Sequence, residues 1–182
     1  MKGIVFTELL EMVESNFGYE MVDTIINENE LDSEGIYTAV GTYQHHEMVS
    51  LLTSLSNKTS VPIPSLLHLF GRYLFDTFTT NYKEFFDAYD NAFDFLNAIE
   101  THIHVEVLKL YPDAELPKFK TTLENNSSFQ MLYTSERKMS SLALGLIEKS
   151  LEYYGESNAE ITIENLDENG KEVLFIINKT NG

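Results

Sequence analysis

Cysteine is absent from the 182 residues. That excludes disulfides, thiolate-bound zinc, iron–sulfur clusters and covalently attached c-type haem. Basic residues are scarce, with 12 Lys+Arg against 29 Asp+Glu and a formal charge of -17. Such a surface repels phosphate backbones and anionic headgroups, so neither nucleic acid nor a membrane is an expected partner. It suits solubility, or docking to a basic patch on another protein. Long apolar runs are missing as well. The richest, around Leu66 to Phe78, is broken by His68, Gly71, Arg72 and Asp76, far short of a membrane span. Met1-Lys2-Gly3 leads into an amphipathic pattern rather than a signal segment, which makes the cytoplasm the expected location. There is no Gly-rich phosphate loop, no His-Glu-x-x-His helix and no Gly-x-Ser-x-Gly elbow. No carboxylate is set apart by its spacing, so the chain is not expected to be an enzyme.

What is present is a folding chain. Hydrophobic residues at 43% and aromatics at 12% suffice for a substantial core in one domain spanning residues 1–182. Ile4, Leu9, Met12, Val13 and Phe17 recur at helical spacing, and Gly18 supplies a stop. Further helices are predicted from Glu20 to about Asn29, over 45–57, and after Pro62 and Pro64, which fit a helix start. Glu30 to Thr42 reads as a loop. A long helix is predicted from about Asn91 to Leu110, with the stripe Phe93, Leu96, Ile99, Ile103, Val107 and Leu110, ended by Pro112. Beyond Pro117 the period changes. Residues 118–124 and 128–134 read as strands joined at Asn125-Asn126, and Ser140 to Tyr154 as a helix stopped by Gly155. Two more strands flank the turn Asp167-Glu168-Asn169-Gly170. The expected class is α+β: a helical N-terminal subdomain over 1–60, then a subdomain over 61–182 with a four-stranded antiparallel sheet.

Five histidines are the obvious ligand candidates. His45 and His46 are neighbours on a helix and diverge by about 100°, so they share no face; they read as solvated helix-start residues. His68 sits among leucines and reads as packed. His102 and His104 straddle the apolar stripe about 200° apart, and periodicity leaves both open. Tyr133, Ser135 and Arg137 alternate, and in extended chain they point to one face. A phenol, a hydroxyl and a guanidinium in line suit paired carboxylates. The plain alternative is a strand edge whose Arg137 pairs with a surface glutamate. A histidine plus a fork of carboxylate donors is what a non-covalent b-type haem needs, for its iron and its two propionates.

With both features in view, the chain resembles the H-NOX family of haem-based gas sensors, which includes the haem domain of soluble guanylate cyclase. The resemblance rests on His104-x-x-Val107-x-Lys109-x-Tyr111-Pro112, Pro117, Tyr133-x-Ser135-x-Arg137 and Leu144-Gly145-Leu146, and it covers nearly the whole chain. It implies a buried haem b with His104, not His102, as the iron ligand. Tyr133, Ser135 and Arg137 are then the propionate set. Val5 and Pro117 match residues that press on the macrocycle, and Phe78 and Leu146 match positions that pack near it. Where oxygen-binding members carry a tyrosine, tryptophan and asparagine, this chain has Leu142, Leu9 and Leu74.

That substitution favours nitric oxide and carbon monoxide over dioxygen. Bound dioxygen is polarised and needs a donor that leucine lacks, a loss of about 1.5–3 kcal/mol. The resemblance further implies signalling by release of His104. The partner would be a separate protein, a histidine kinase or a cyclic-di-GMP enzyme. Two rivals stand beside this: an oxygen- or redox-responsive haem sensor using Tyr73 or Ser141, and a haem-free interaction module.

Overall fold

A computed structural model describes residues 1–179. It divides into two compact units, 1–70 and 71–182. In the first, α1 (Gly3–Phe17) and α2 (Tyr19–Asn27) meet at Gly18, whose positive φ of 84° breaks the helix and whose N–H caps Glu14. A loop follows, then α3 (His45–Thr59). The loop satisfies the unpaired N–H groups that open α1: Gly3 donates to the Gly41 carbonyl at 2.8 Å and Ile4 to that of Ala39 at 2.9 Å. This approach needs glycine, because a Cβ on Gly3 would lie 1.9 Å from the Thr38 carbonyl oxygen. Phe6 stacks on Tyr37, with ring centroids 4.5 Å apart. Glu47 is buried, yet its carboxylate accepts from the hydroxyls of Ser33 and Tyr37. Burial holds the Tyr37 phenol well above its ordinary pKa.

The helix α4 (Ile63–Asn81) carries the division between the units. Pro62 precedes it, and the N–H groups of Ser65 and Leu66 return to the Pro62 carbonyl. The second unit continues with α5 (Lys83–Asp87) and α6 (Ala92–Ala98), capped by the Asn91 side chain, which accepts from the Asp94 N–H. Next come a π-helical turn (Ile99–Ile103) and α7 (His104–Leu110). The strands β1 (Lys118–Asn125) and β2 (Ser128–Thr134) lead to α8 (Ser140–Tyr153), and β3 (Ala159–Asn165) and β4 (Glu172–Lys179) close the chain. The sheet is antiparallel in the order β1-β2-β4-β3, which is the α+β architecture that the strand spacing predicts.

Residues Phe129, Met131 and Tyr133 of β2 and Val173, Phe175 and Ile177 of β4 alternate inward. They pack with Ala143, Ile147 and Leu151 of α8 and the aromatic face of α6. Phe93 stacks on Phe129 at 5.1 Å. Gly71 lets α4 and α8 approach backbone to backbone, since a Cβ there would lie 2.2 Å from the Leu142 carbonyl oxygen. Arg72 fastens the same pair of helices by bonding Glu148 at 3.1 Å and Glu152 at 2.7 Å.

One expectation about these helices needs correction. The single helix from about Asn91 to Leu110 is interrupted: the Ile99–Ile103 turn makes i→i+5 bonds, with the His104 N–H reaching the Ile99 carbonyl. A wider turn shifts the stripe, so Phe93 and Leu96 are buried while Leu110 is exposed. On α8 the buried residues are Ala143, Gly145, Ile147, Ser150 and Leu151, while Leu142 and Leu146 are half-buried.

Candidate functional site

His104 opens α7, and its side chain is 14% exposed. Its Nδ1 lies 3.1 Å from Glu100 Oε2, and its ring lies 5.7 Å from that of Phe119 on β1. Burial pushes its pKa below the ordinary 6.5, with the Glu100 carboxylate opposing the shift. The imidazole is therefore neutral near pH 7. A neutral ring facing a carboxylate donates from Nδ1–H, which makes Nε2 the nitrogen with the lone pair. His102 has other surroundings. It is exposed, and its Nδ1 lies 2.6 Å from the Tyr89 hydroxyl. The structure thus separates two histidines that periodicity left equivalent.

Tyr133 ends the buried face of β2, and its hydroxyl accepts the Met139 N–H at 2.9 Å. β2 ends at Thr134, where the strand reading 128–134 ends it, so Ser135 and Arg137 lie beyond the extended chain that would align them with Tyr133. Beyond it the Arg137 N–H donates to Ser135 Oγ at 3.2 Å, and Lys138 takes a left-handed φ of 54°. A turn therefore curls back over Tyr133: strand pleating sets the Tyr133 side chain, and the turn sets those of Ser135 and Arg137. Arg137 donates to the Glu115 carbonyl at 2.6 Å and to the Glu115 carboxylate at 2.7 Å. A pairing with a surface glutamate, the plain alternative, is thus what the guanidinium makes.

Pro117 is half-buried between α7 and β1. On α4, Leu74 is buried and Phe78 half-buried; Leu142 and Leu146 lie one turn apart on α8, both half-buried. Val5 and Leu9 belong to α1 in the other unit, the first half-buried and the second fully buried. Tyr73 and Ser141 are half-buried on α4 and α8. Sequence reasoning missed Glu100 and Glu115. Glu100 had a signal, a carboxylate four residues before a histidine; Glu115, reaching Arg137 across a proline-bounded turn, had none.

The donor set suits a haem. Among the described residues no three His, Asp or Glu side chains gather to hold a metal ion. The imidazole of His104 is instead a single neutral donor oriented from behind, and Arg137 binds a carboxylate in the manner a propionate would need.

The protein-family model for haem–NO-binding domains matches residues 2–164. Among solved structures, the Fe(II) unliganded H-NOX protein of K. algicida is 47% identical, with TM-score 0.95 over 100% of this chain and 98% of that one. The H-NOX of Shewanella woodyi, bound to IWP-051 in the Fe(II)CO state, is 40% identical with TM-score 0.84, over 99% of this chain and 95% of that one. An S. oneidensis H-NOX in the Fe(II)NO state shares the fold at TM-score 0.87 and 24% identity, over the whole of both chains. None of the curated proteins matches the chain. The family match over nearly the whole length, the two close structural relatives and the shared α+β fold place this chain in the H-NOX family of haem-binding gas-sensor domains.

Proposed function

We propose that the chain senses nitric oxide at a ferrous, non-covalently held haem b, with His104 as the iron ligand. The observation that carries this is the His104 imidazole, largely buried and with its Nδ1 3.1 Å from Glu100 Oε2, an arrangement that leaves Nε2 as the nitrogen to bind iron. Tyr133, Ser135 and Arg137 would hold the propionates, with Arg137 exchanging the Glu115 carboxylate for one of them. Val5 and Pro117 would press on the macrocycle, and Phe78 and Leu146 would pack near it. When bound, the haem supplies the gas-binding iron and the link to His104 that nitric oxide weakens.

Leu9, Leu74 and Leu142 offer no hydrogen-bond donor to a bound gas. That supports selection of nitric oxide and carbon monoxide over dioxygen, by about 1.5–3 kcal/mol for the missing bond. The K. algicida and S. woodyi relatives, in unliganded and CO-bound ferrous states, support ferrous haem as the working form. Release of His104 would free α7, which has no fully buried residue, and so bias a two-state equilibrium. The output is a sensing event rather than catalysis. It would pass in the cytoplasm to a separate histidine kinase or cyclic-di-GMP enzyme, with the acidic surface offering charge for docking. The haem-binding part would be residues 61–182, and residues 1–60 the helical subdomain that responds.

Absorption spectra of the ferrous protein under argon, air, carbon monoxide and nitric oxide test the proposal. Nitric oxide and carbon monoxide complexes without a stable oxy form are expected; a stable oxy spectrum would overturn the selectivity. A His104→Gly variant should lose haem unless imidazole is supplied, and His102→Gly should keep it.

A further inference from the structure

The two hydrogen bonds of Glu100 point beyond this reading. Its Oε2 lies 3.1 Å from His104 Nδ1 and also accepts the backbone N–H of Phe119 at 3.1 Å. Phe119 sits on β1, the edge strand of the sheet and partner of Tyr133 in the β1–β2 register. An outward N–H on an edge strand has no ladder partner, and here the carboxylate takes it. One oxygen therefore joins the turn before α7, the imidazole and the sheet edge. The Phe119 ring completes the arrangement, 5.7 Å from the His104 ring and 5.8 Å from that of Tyr133.

The position of Glu100 in the chain makes this possible. It lies within the π-helical turn Ile99–Ile103, four residues before His104. Its side chain is 42% exposed, so the bridge forms without burying an unpaired charge. His102, two residues away, meets a phenol instead, a far weaker acceptor than a carboxylate.

We propose that Glu100 is a positioning residue: it fixes the tautomer and aim of His104 and, by drawing on Nδ1–H, strengthens the donor at Nε2. A carboxylate behind a ligating histidine raises its basicity and holds its ring orientation. The consequence for sensing is a threshold, because a better donor holds iron more tightly and gives way to nitric oxide more slowly. This rests on His104 being the iron ligand.

The test uses the full chain loaded with ferrous haem, as wild type, Glu100→Gln and Glu100→Asp. The readouts are the iron–histidine stretching band by resonance Raman and the rate of the absorbance change that marks histidine loss after nitric oxide is added. Glutamine still offers Phe119 an acceptor but carries no charge. It should lower the band and speed histidine loss by about ten- to a hundredfold. Aspartate keeps the charge on a shorter arm and should fall between wild type and glutamine. A band and rate unchanged in Glu100→Gln would overturn the proposal. A wild-type band that survives His104→Gly would overturn the ligand assignment itself, which keeps the two failures apart. In case the glutamine variant binds no haem, nitrogen NMR of the haem-free wild type provides a second readout. The His104 proton should reside on Nδ1, and a proton on Nε2 would refute the arrangement.

Discussion

Tyr133 and His104 belong to the same compact unit, yet the fold holds them in opposite ways. Tyr133 stands on a strand whose alternate residues are all buried, in the middle of the aromatic core. His104 stands at the start of a seven-residue helix with no fully buried residue, behind a π-helical turn that has none either and only half-buries Ile99 and Ile103 against the core. Local stability follows buried apolar contact, so the carboxylate-binding arm has a rigid root and the imidazole a loose one. A site assembled from one fixed and one yielding support can keep its grip while one side moves.

The contrast breaks most sharply under truncation. Phe129→Ala should lower unfolding free energy by about 3–5 kcal/mol, whereas Leu110→Ala on α7 should stay within about 0.5 kcal/mol; urea melts of both variants check this. Equal losses would mean that α7 is as firmly packed as β2. Tyr133→Phe should cost about 1–3 kcal/mol, because it strands the buried Met139 N–H, and the same melts would show it.

Smaller effects sharpen the picture. Glu115→Gln removes a charge that is 84% exposed while the Glu115 carbonyl still holds Arg137. Its cost should not exceed about 1 kcal/mol, even as thermal shift shows Arg137 freer to bind added carboxylates. Least of all is a pH effect. The hydrogen bond from Arg72 holds the Glu152 carboxyl below its ordinary 4.5. The stability it contributes is present above that value and lost as pH falls through the depressed one. Glu152→Gln should therefore cost a small part of the stability at neutral pH and converge on the wild type as pH falls below about 4.5, which flattens the acid limb of the stability curve.

Much of this was legible in the sequence. The four strands, their turns and the helix stops at Gly18 and Gly155 followed from period and turn chemistry, because each is decided by residues close in the chain. The interruption at Ile99–Ile103 was not legible. Its residues have spacings of three and four that an α-helix accepts, and the extra residue is selected by contacts with β1 far along the chain. The course of Ser135 to Arg137 was hidden for the same reason: alternation fits a strand, while the turn is fixed by Met139 returning to the Tyr133 hydroxyl. Periodicity could not tell His104 from His102; the resemblance implied His104, and the partners that separate the two lie outside what periodicity records.

The turn at Ile99–Ile103 also gives this helix a phase. It holds one residue more than an α-turn, so winding it into an ordinary helix with all five residues kept would rotate everything after it by about 100°. Such a rewinding should leave the circular dichroism of the protein almost untouched while aiming His104 away from its place, whereas deleting one of the five residues would restore the α-turn and keep that aim. For this segment a change of winding acts as a rotation, and the wide turn is what lets one extra residue stand before the histidine without turning it aside.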